Sequence, residues 1–217
     1  MNRIVILGAG GFGREVLTLI RDINEATPNT WDFVGFLAAE APDPGIMRRI
    51  DASYLGSDTD EQVLASLHGC HVVVAVGAGS VRRDVTARMI RAGLVPATLV
   101  HPSAVIGEDV ELGVGTVVCA GSILTTNIRL GTGVAVDRSV NVGHDCVIGD
   151  FVTLAPGSVL SGNVTLRDEA YMGTNSCTIQ GVSVGRATTV GAGAVVTRDI
   201  GAGLTAVGAP AKPVGHQ

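Results

Sequence analysis

The sequence predicts two fold classes in series: an α/β domain of Rossmann-like type over residues 1–97, and an all-β parallel β-helix of hexapeptide repeats over residues 98–217. Three observations carry this expectation. A large aliphatic residue returns every six positions over residues 100–196, through Ile106, Leu112, Val118, Leu124 and onward, and only Thr178 breaks the series. Neither the helical period of 3.6 nor plain alternation sustains a six-residue repeat for so long, whereas stacked coils do. Before the repeat, the chain runs from an apolar stretch through a glycine cluster into an amphipathic segment. Finally, hydrophobic residues make up 46% and aromatics only 3%, with 30 glycines. Thin stacked coils are built from β-branched and small residues and have little room for rings.

Taken in order, Ile4-Val5-Ile6-Leu7 reads as a buried strand, Gly8-Ala9-Gly10-Gly11-Phe12-Gly13 as a loop, and Arg14-Glu15-Val16-Leu17-Thr18-Leu19-Ile20 as a helix with an apolar stripe. In that context G-x-G-x-x-G lets backbone approach a phosphate at a helix N-terminus. The same glycines could instead do no more than pack the helix on the sheet, and the sequence leaves both readings open. Strands are expected over residues 33–37 and 71–76 and helices over 58–67 and 82–92, an order βαβαβα that implies a small open parallel sheet. Residues 38–56, with Pro42, Asp43, Pro44 and Gly45, read as a surface excursion. An NAD site calls for an acidic residue closing the second strand. Here that strand runs into Leu37-Ala38-Ala39-Glu40, so a mononucleotide or nucleotide-sugar suits it better. Gly77, in Gly77-Ala78-Gly79, falls at the C-terminal end of another parallel strand, where open sheets bind ligands.

In the repeat domain each aliphatic position has a small or β-branched companion two residues earlier, such as Thr116, Ser122, Ile128 and Cys146. This phase points His144-Asp145 outward and Cys146 inward. Histidine is the natural general base near neutral pH, and a carboxylate beside it holds its tautomer and stabilises the imidazolium. A surface histidine next to a solvated aspartate would look the same in sequence. His68, Cys70 and His71 are too cramped for a zinc site and lack a fourth ligand, so no metal is expected. His101 opens the repeat domain and His216 lies in the tail. The four cysteines are widely spaced and read as reduced packing residues. The net charge of −5 and scattered basic residues give no footprint for nucleic acid. No stretch reaches membrane-spanning length and no signal peptide is seen, so a cytoplasmic protein without membrane partners is expected.

Gly8 through Val16, His144-Asp145-Cys146-Val147-Ile148-Gly149-Asp150-Phe151, Gly162-Asn163-Val164 and Gly208-Ala209-Pro210-Ala211-Lys212 together resemble the hexapeptide-repeat acyltransferases that acetylate nucleotide-linked amino sugars or sialic acid. The resemblance covers nearly the whole chain in order. It implies a Rossmann-like nucleotide-sugar-binding domain and a left-handed β-helix with three repeats per coil. It also implies a homotrimer with shared active sites and acetyl-CoA as co-substrate, lying between neighbouring β-helices. By the same resemblance His144 is the catalytic base and Asp145 its acidic partner, and Gly162 offers a backbone N–H to the thioester oxygen. Gly173, Gly191, Ala192 and Lys212 line the coenzyme. Gly8, Gly10, Gly11, Phe12, Gly77 and Asp137 serve the sugar nucleotide. The chain differs from many relatives at Ala38-Ala39, where they carry two acids, at Thr153, where they carry a second histidine, and at Asp137, where they carry asparagine. The leading expectation is N-acetylation of a nucleotide-linked amino sugar. O-acetylation of sialic acid or another sugar, a non-catalytic trimeric sugar-nucleotide scaffold, and an NAD-dependent enzyme are the competing ones.

Overall fold

The computed structural model describes residues 1–214. The chain divides into two compact units, one of residues 1–77 and 81–97 and the other of residues 78–80 and those from 98 onward.

The first unit runs β1 (Asn2–Leu7), α1 (Gly11–Ala26), β2 (Trp31–Leu37), α2 (Pro44–Arg49), β3 (Tyr54–Gly56), α3 (Glu61–Ser66), β4 (His71–Val74), α4 (Gly79–Arg91, from residue 81 onward) and β5 (Val95–Pro96). All five strands are parallel, in the order β3-β2-β1-β4-β5. β1 and β4 are central and carry near-continuous apolar runs, as strands covered on both faces must. Ile4, Val5 and Ile6 are fully buried, and α1 turns Val16, Leu17, Leu19 and Ile20 onto the sheet. Residues 38–56 are more ordered than expected, because they contain α2 and the edge strand β3. Asp43 caps α2, its Oδ1 accepting from the N–H groups of Gly45 (2.6 Å) and Ile46 (3.1 Å), and Pro44 occupies the first helical turn. A helix of six residues is too short to show a period, so only its cap could have announced it.

The second unit is a left-handed parallel β-helix. Each short strand pairs with the strand 18 residues further on, for example Ile123 with Asn141 and Arg129 with Val147, so three hexapeptides close one coil. The strands stack into three faces. Face one begins at Val105–Ile106 and ends at Val195–Val196, face two runs from Val110–Leu112 to Ser183–Val184, and face three runs from Leu99–Val100 to Thr205–Val207. The six-residue ladder is the core: from Val118 to Val196 every member is buried, including Thr178. The companions two residues earlier, Thr116, Ser122, Cys146 and Ser158 among them, are buried as well. Val100 and Leu112 are only half-buried, and Ile106 is exposed, because a terminal coil has a neighbour on one side only. At the other end Lys212–Val214 returns antiparallel along Thr205–Val207.

Every sixth residue from Asp109 to Gly193 has a left-handed backbone. Each turn between faces needs one such residue, and where it is not glycine it is often Asn or Asp, which tolerate positive φ best.

Candidate active site

In the first unit β1 and β4 are neighbours whose onward connections lead to opposite sides of the sheet, the crevice where open α/β sheets bind ligands. The glycines of the loop after β1 divide into two kinds. A Cβ on Gly13 would lie 1.8 Å from the Gly8 carbonyl oxygen, and one on Gly8, at φ +104°, would lie 2.8 Å from the Ala75 carbonyl oxygen. These two serve close packing of α1 and β4 against β1. A Cβ on Gly10, Gly11 or Gly77 would meet nothing within 4 Å, so at these three positions neighbouring packing does not demand glycine. Gly10 caps α1 without a side chain, and the first turn carries no acidic residue, which leaves the positive end of the helix open to an anion. Phe12 is half-buried at this turn.

A cleft of about 290 Å³ adjoins the loop, and its lining includes Ala9, Gly10, Arg14, Glu40, Ile46 and Met47. Of these only Gly10 was foreseen from sequence as a site residue. The others come from the loop after β1, from α1, from the loop after β2 and from α2. Sequence reasoning also missed Arg82 on α4, which is buried and donates through Nη1 to the carbonyls of Val76 (2.6 Å) and Gly77 (3.1 Å). Burial lowers its pKa to about 10, so it stays charged at neutral pH and ties down the loop after β4.

In the β-helix the turn leaving face one after Asn141–Val142 carries His144 and Asp145. His144 Nδ1 and Asp145 Oδ2 are 2.6 Å apart, and both side chains are about half exposed. Asp145 also accepts a 2.6 Å hydrogen bond from the side-chain amide of Asn127, one coil earlier. These bonds, that to His144 foremost, hold the Asp145 carboxyl below the usual carboxylate range. Gly162 occupies the same corner one coil later. A Cβ there would lie 2.4–2.5 Å from His144 Cε1 and Nε2, so the imidazole rests against the Gly162 α-carbon. Within the described residues no acceptor takes the Gly162 N–H. Cys146 is fully buried, its Sγ donates to the carbonyls of Ser161 (3.3 Å) and His144 (3.7 Å), and burial raises its pKa. A protonated, enclosed thiol is a poor nucleophile.

The remaining expected residues lie elsewhere. Asp137, Gly173 and Gly191 stack on the corner between faces three and one, each a whole number of coils from the next. A Cβ on Gly173 would meet Ala192 N at 2.6 Å, and one on Gly191 would meet Val207 at 2.8 Å. Lys212 pairs with Val207 and is exposed. This column and the His144 corner border opposite edges of face one, so a single chain does not bring them together. The Asp137 carboxylate accepts from the backbone N–H of Arg138 at 2.7 Å. The other histidines serve packing or turns. His71 meets Trp31 edge to face, and His101 Nδ1 accepts from the N–H of Ser103. His216 lies outside the described residues. Among those residues no group of three or more His, Cys, Asp or Glu is placed to hold a metal.

A small parallel α/β sheet followed by a hexapeptide β-helix with an outward histidine–aspartate pair defines the class of hexapeptide-repeat acyltransferases. Residues 3–89 match the family described as PglD N-terminal domain. The chain is 29% identical to GDP-perosamine N-acetyltransferase of Escherichia coli O157:H7, over 98% of this chain and 96% of that protein. The acetyltransferase domain of PglB from Neisseria gonorrhoeae FA1090, solved in complex with acetyl coenzyme A, is 31% identical with a TM-score of 0.82, covering 99% of this chain and all of that one. A mutant perosamine N-acetyltransferase from Caulobacter crescentus, in complex with CoA and GDP-perosamine, is 28% identical with a TM-score of 0.88, covering 100% and 98%. The chain belongs to the nucleotide-sugar N-acetyltransferases of hexapeptide-repeat fold.

Proposed function

We propose that this protein transfers the acetyl group of acetyl-CoA to the amino group of a nucleotide-linked amino sugar, with His144 as general base. The observation that carries the reading is the His144–Asp145 pair itself. With Nδ1 engaged by the carboxylate, Nε2 is left as the basic nitrogen, at an exposed corner against Gly162. As the amine nitrogen bonds to the thioester carbon it must shed a proton, which Nε2 takes, and Asp145 stabilises the imidazolium that forms. The Gly162 N–H is assigned to the developing oxyanion. When the C–S bond breaks, the thiolate of CoA leaves and recovers the proton. No acyl-enzyme is required, in keeping with the buried Cys146.

Both perosamine relatives are N-acetyltransferases, which favours an amine over a sugar hydroxyl as acceptor, and their substrate is GDP-linked. The open helix N-terminus at Gly10 and Gly11 suits the diphosphate. Glu40, on the adjoining cleft, offers a carboxylate to which the N1–H and N2 amino group of guanine can both donate. The two edges of face one are completed by a second copy of the chain. Val105, Ile123 and Val159 are exposed along that face, and a neighbour seated there would bring its Asp137–Gly173–Gly191 column to this chain's His144. The assembly is read as a homotrimer with shared sites.

The test is a panel of nucleotide-linked amino sugars with acetyl-CoA, read by release of free thiol. Turnover is expected with a GDP-linked amino sugar, and His144→Ala is expected to lower kcat by about 10²- to 10⁴-fold with CoA binding retained. Unchanged transfer in that variant would remove His144 as the base.

A further inference from the structure

We propose that Asn127 is a positioning residue of the catalytic pair, its side-chain amide holding the Asp145 carboxylate in the orientation that meets His144. The proposal rests on the reading of His144 as general base. Both carboxylate oxygens of Asp145 are engaged: Oδ1 accepts from Asn127 Nδ2 at 2.6 Å, and Oδ2 lies 2.6 Å from His144 Nδ1. With one oxygen anchored to the coil beneath, rotation of the carboxylate is restrained and the other oxygen faces the imidazole. An exposed aspartate without that anchor would sample orientations that leave Nδ1 to water, and the preorganised charge would be lost.

The backbone does not demand asparagine at this position. Residues 109, 127, 145, 163 and 181 stack on one corner, all with left-handed φ, and are Asp, Asn, Asp, Asn and Gly. Glycine or aspartate would satisfy the φ of +50° at Asn127, and the residue is exposed, so burial does not select it either. What asparagine alone among the three supplies is a neutral side-chain donor at one strand spacing, ~4.8 Å, from Asp145. Aspartate would set carboxylate against carboxylate. The alternation extends below, where the Asp109 carboxylate is taken by Arg129 at 2.7 Å, which also reaches Glu111. On the coil above, the corner presents Gly162 and Asn163. Asp145 lies beside His144, and two coils below, beyond Thr126 and Asn127, the same corner carries Glu108 and the Asp109–Arg129–Glu111 cluster.

Two variants that keep the turn test the idea, with His144→Ala as reference. Asn127→Gly retains the left-handed turn and removes the donor. Its kcat is expected to fall roughly 5- to 20-fold, with KM for both substrates and the melting temperature little changed. Asn127→Asp adds a negative charge that favours the imidazolium, so the acid limb of its pH profile for kcat/KM is expected to move up by about half a unit or more. Wild-type kcat and an unmoved acid limb in both variants, with His144→Ala inactive, would overturn the role of Asn127 and leave the base in place. An active His144→Ala would overturn the general-base reading and this one with it.

Discussion

Gly162 shows how one missing side chain shapes the site. Its backbone is not left-handed, so alanine is conformationally acceptable there, but the added methyl would press on the His144 ring at 2.4–2.5 Å. The ring ends a side chain that can swing, so the expected outcome of Gly162→Ala is a displaced His144, the proposed base, in an intact fold. We expect kcat lower by about 10²-fold at a wild-type melting temperature; steady-state kinetics beside a thermal melt check both halves. The Asp145 carboxyl is held below the usual carboxylate range, first by His144 and then by Asn127. A carboxyl with a lowered pKa contributes to the folded state above its unfolded pKa, and the contribution fades as pH falls through the lower folded value. Asp145 is thus ionised at neutral pH, where its charge is available to the neighbouring imidazole.

At the scale of the element, the β-helix turn is the unit that repeats. One residue in six must adopt positive φ, and the chain meets this with glycine, asparagine or aspartate at most corners. Ala187, exposed at φ +52°, is a costlier solution. Left-handed backbone costs an ordinary L-residue about 1 kcal/mol or more, and asparagine less. Ala187→Asn is therefore expected to raise the melting temperature by roughly 2–4 °C with activity unchanged, measured by differential scanning calorimetry. In the first unit the same economy divides the loop after β1: Gly8 and Gly13 let helix and strands approach, whereas Gly10 and Gly11 leave space in front of the helix N-terminus.

At the scale of the whole molecule, face one differs from face two. Outward from face one point Val105, Ile123, Val159, Cys177 and Val195, with Asn141 among them, while face two presents Glu111, Arg129, Val147, Thr165 and Ser183. Val105, Ile123 and Val159 are exposed on this face, and on the proposed reading another copy of the chain covers them. If the proposed shared site holds, Ile123→Asp combined with Val159→Asp is expected to give a single-chain sedimenting species and to abolish turnover, because the site proposed between the His144 edge and a neighbour's Gly173–Gly191 edge would be lost. An unchanged mass with unchanged rate would contradict the shared site.

The sequence by itself determined the two fold classes and the inward and outward phase of the repeat. A six-residue ladder of aliphatic side chains has one way to bury itself, and that phase alone turned His144 out and Cys146 in. It announced the glycine loop but could not divide its members, because which glycine is pressed by a carbonyl depends on how α1 and β4 lie against β1. It read residues 38–56 as a surface excursion because α2 is shorter than two turns, and so missed the cleft at Glu40 and Met47. Only the tertiary structure decided that Asn127, Asp145 and Gly162, 18 and 17 residues apart along the chain, share one corner. The coil places residues one full turn apart side by side, and proximity of that kind is written in the winding of the backbone, not in the identity of any one residue.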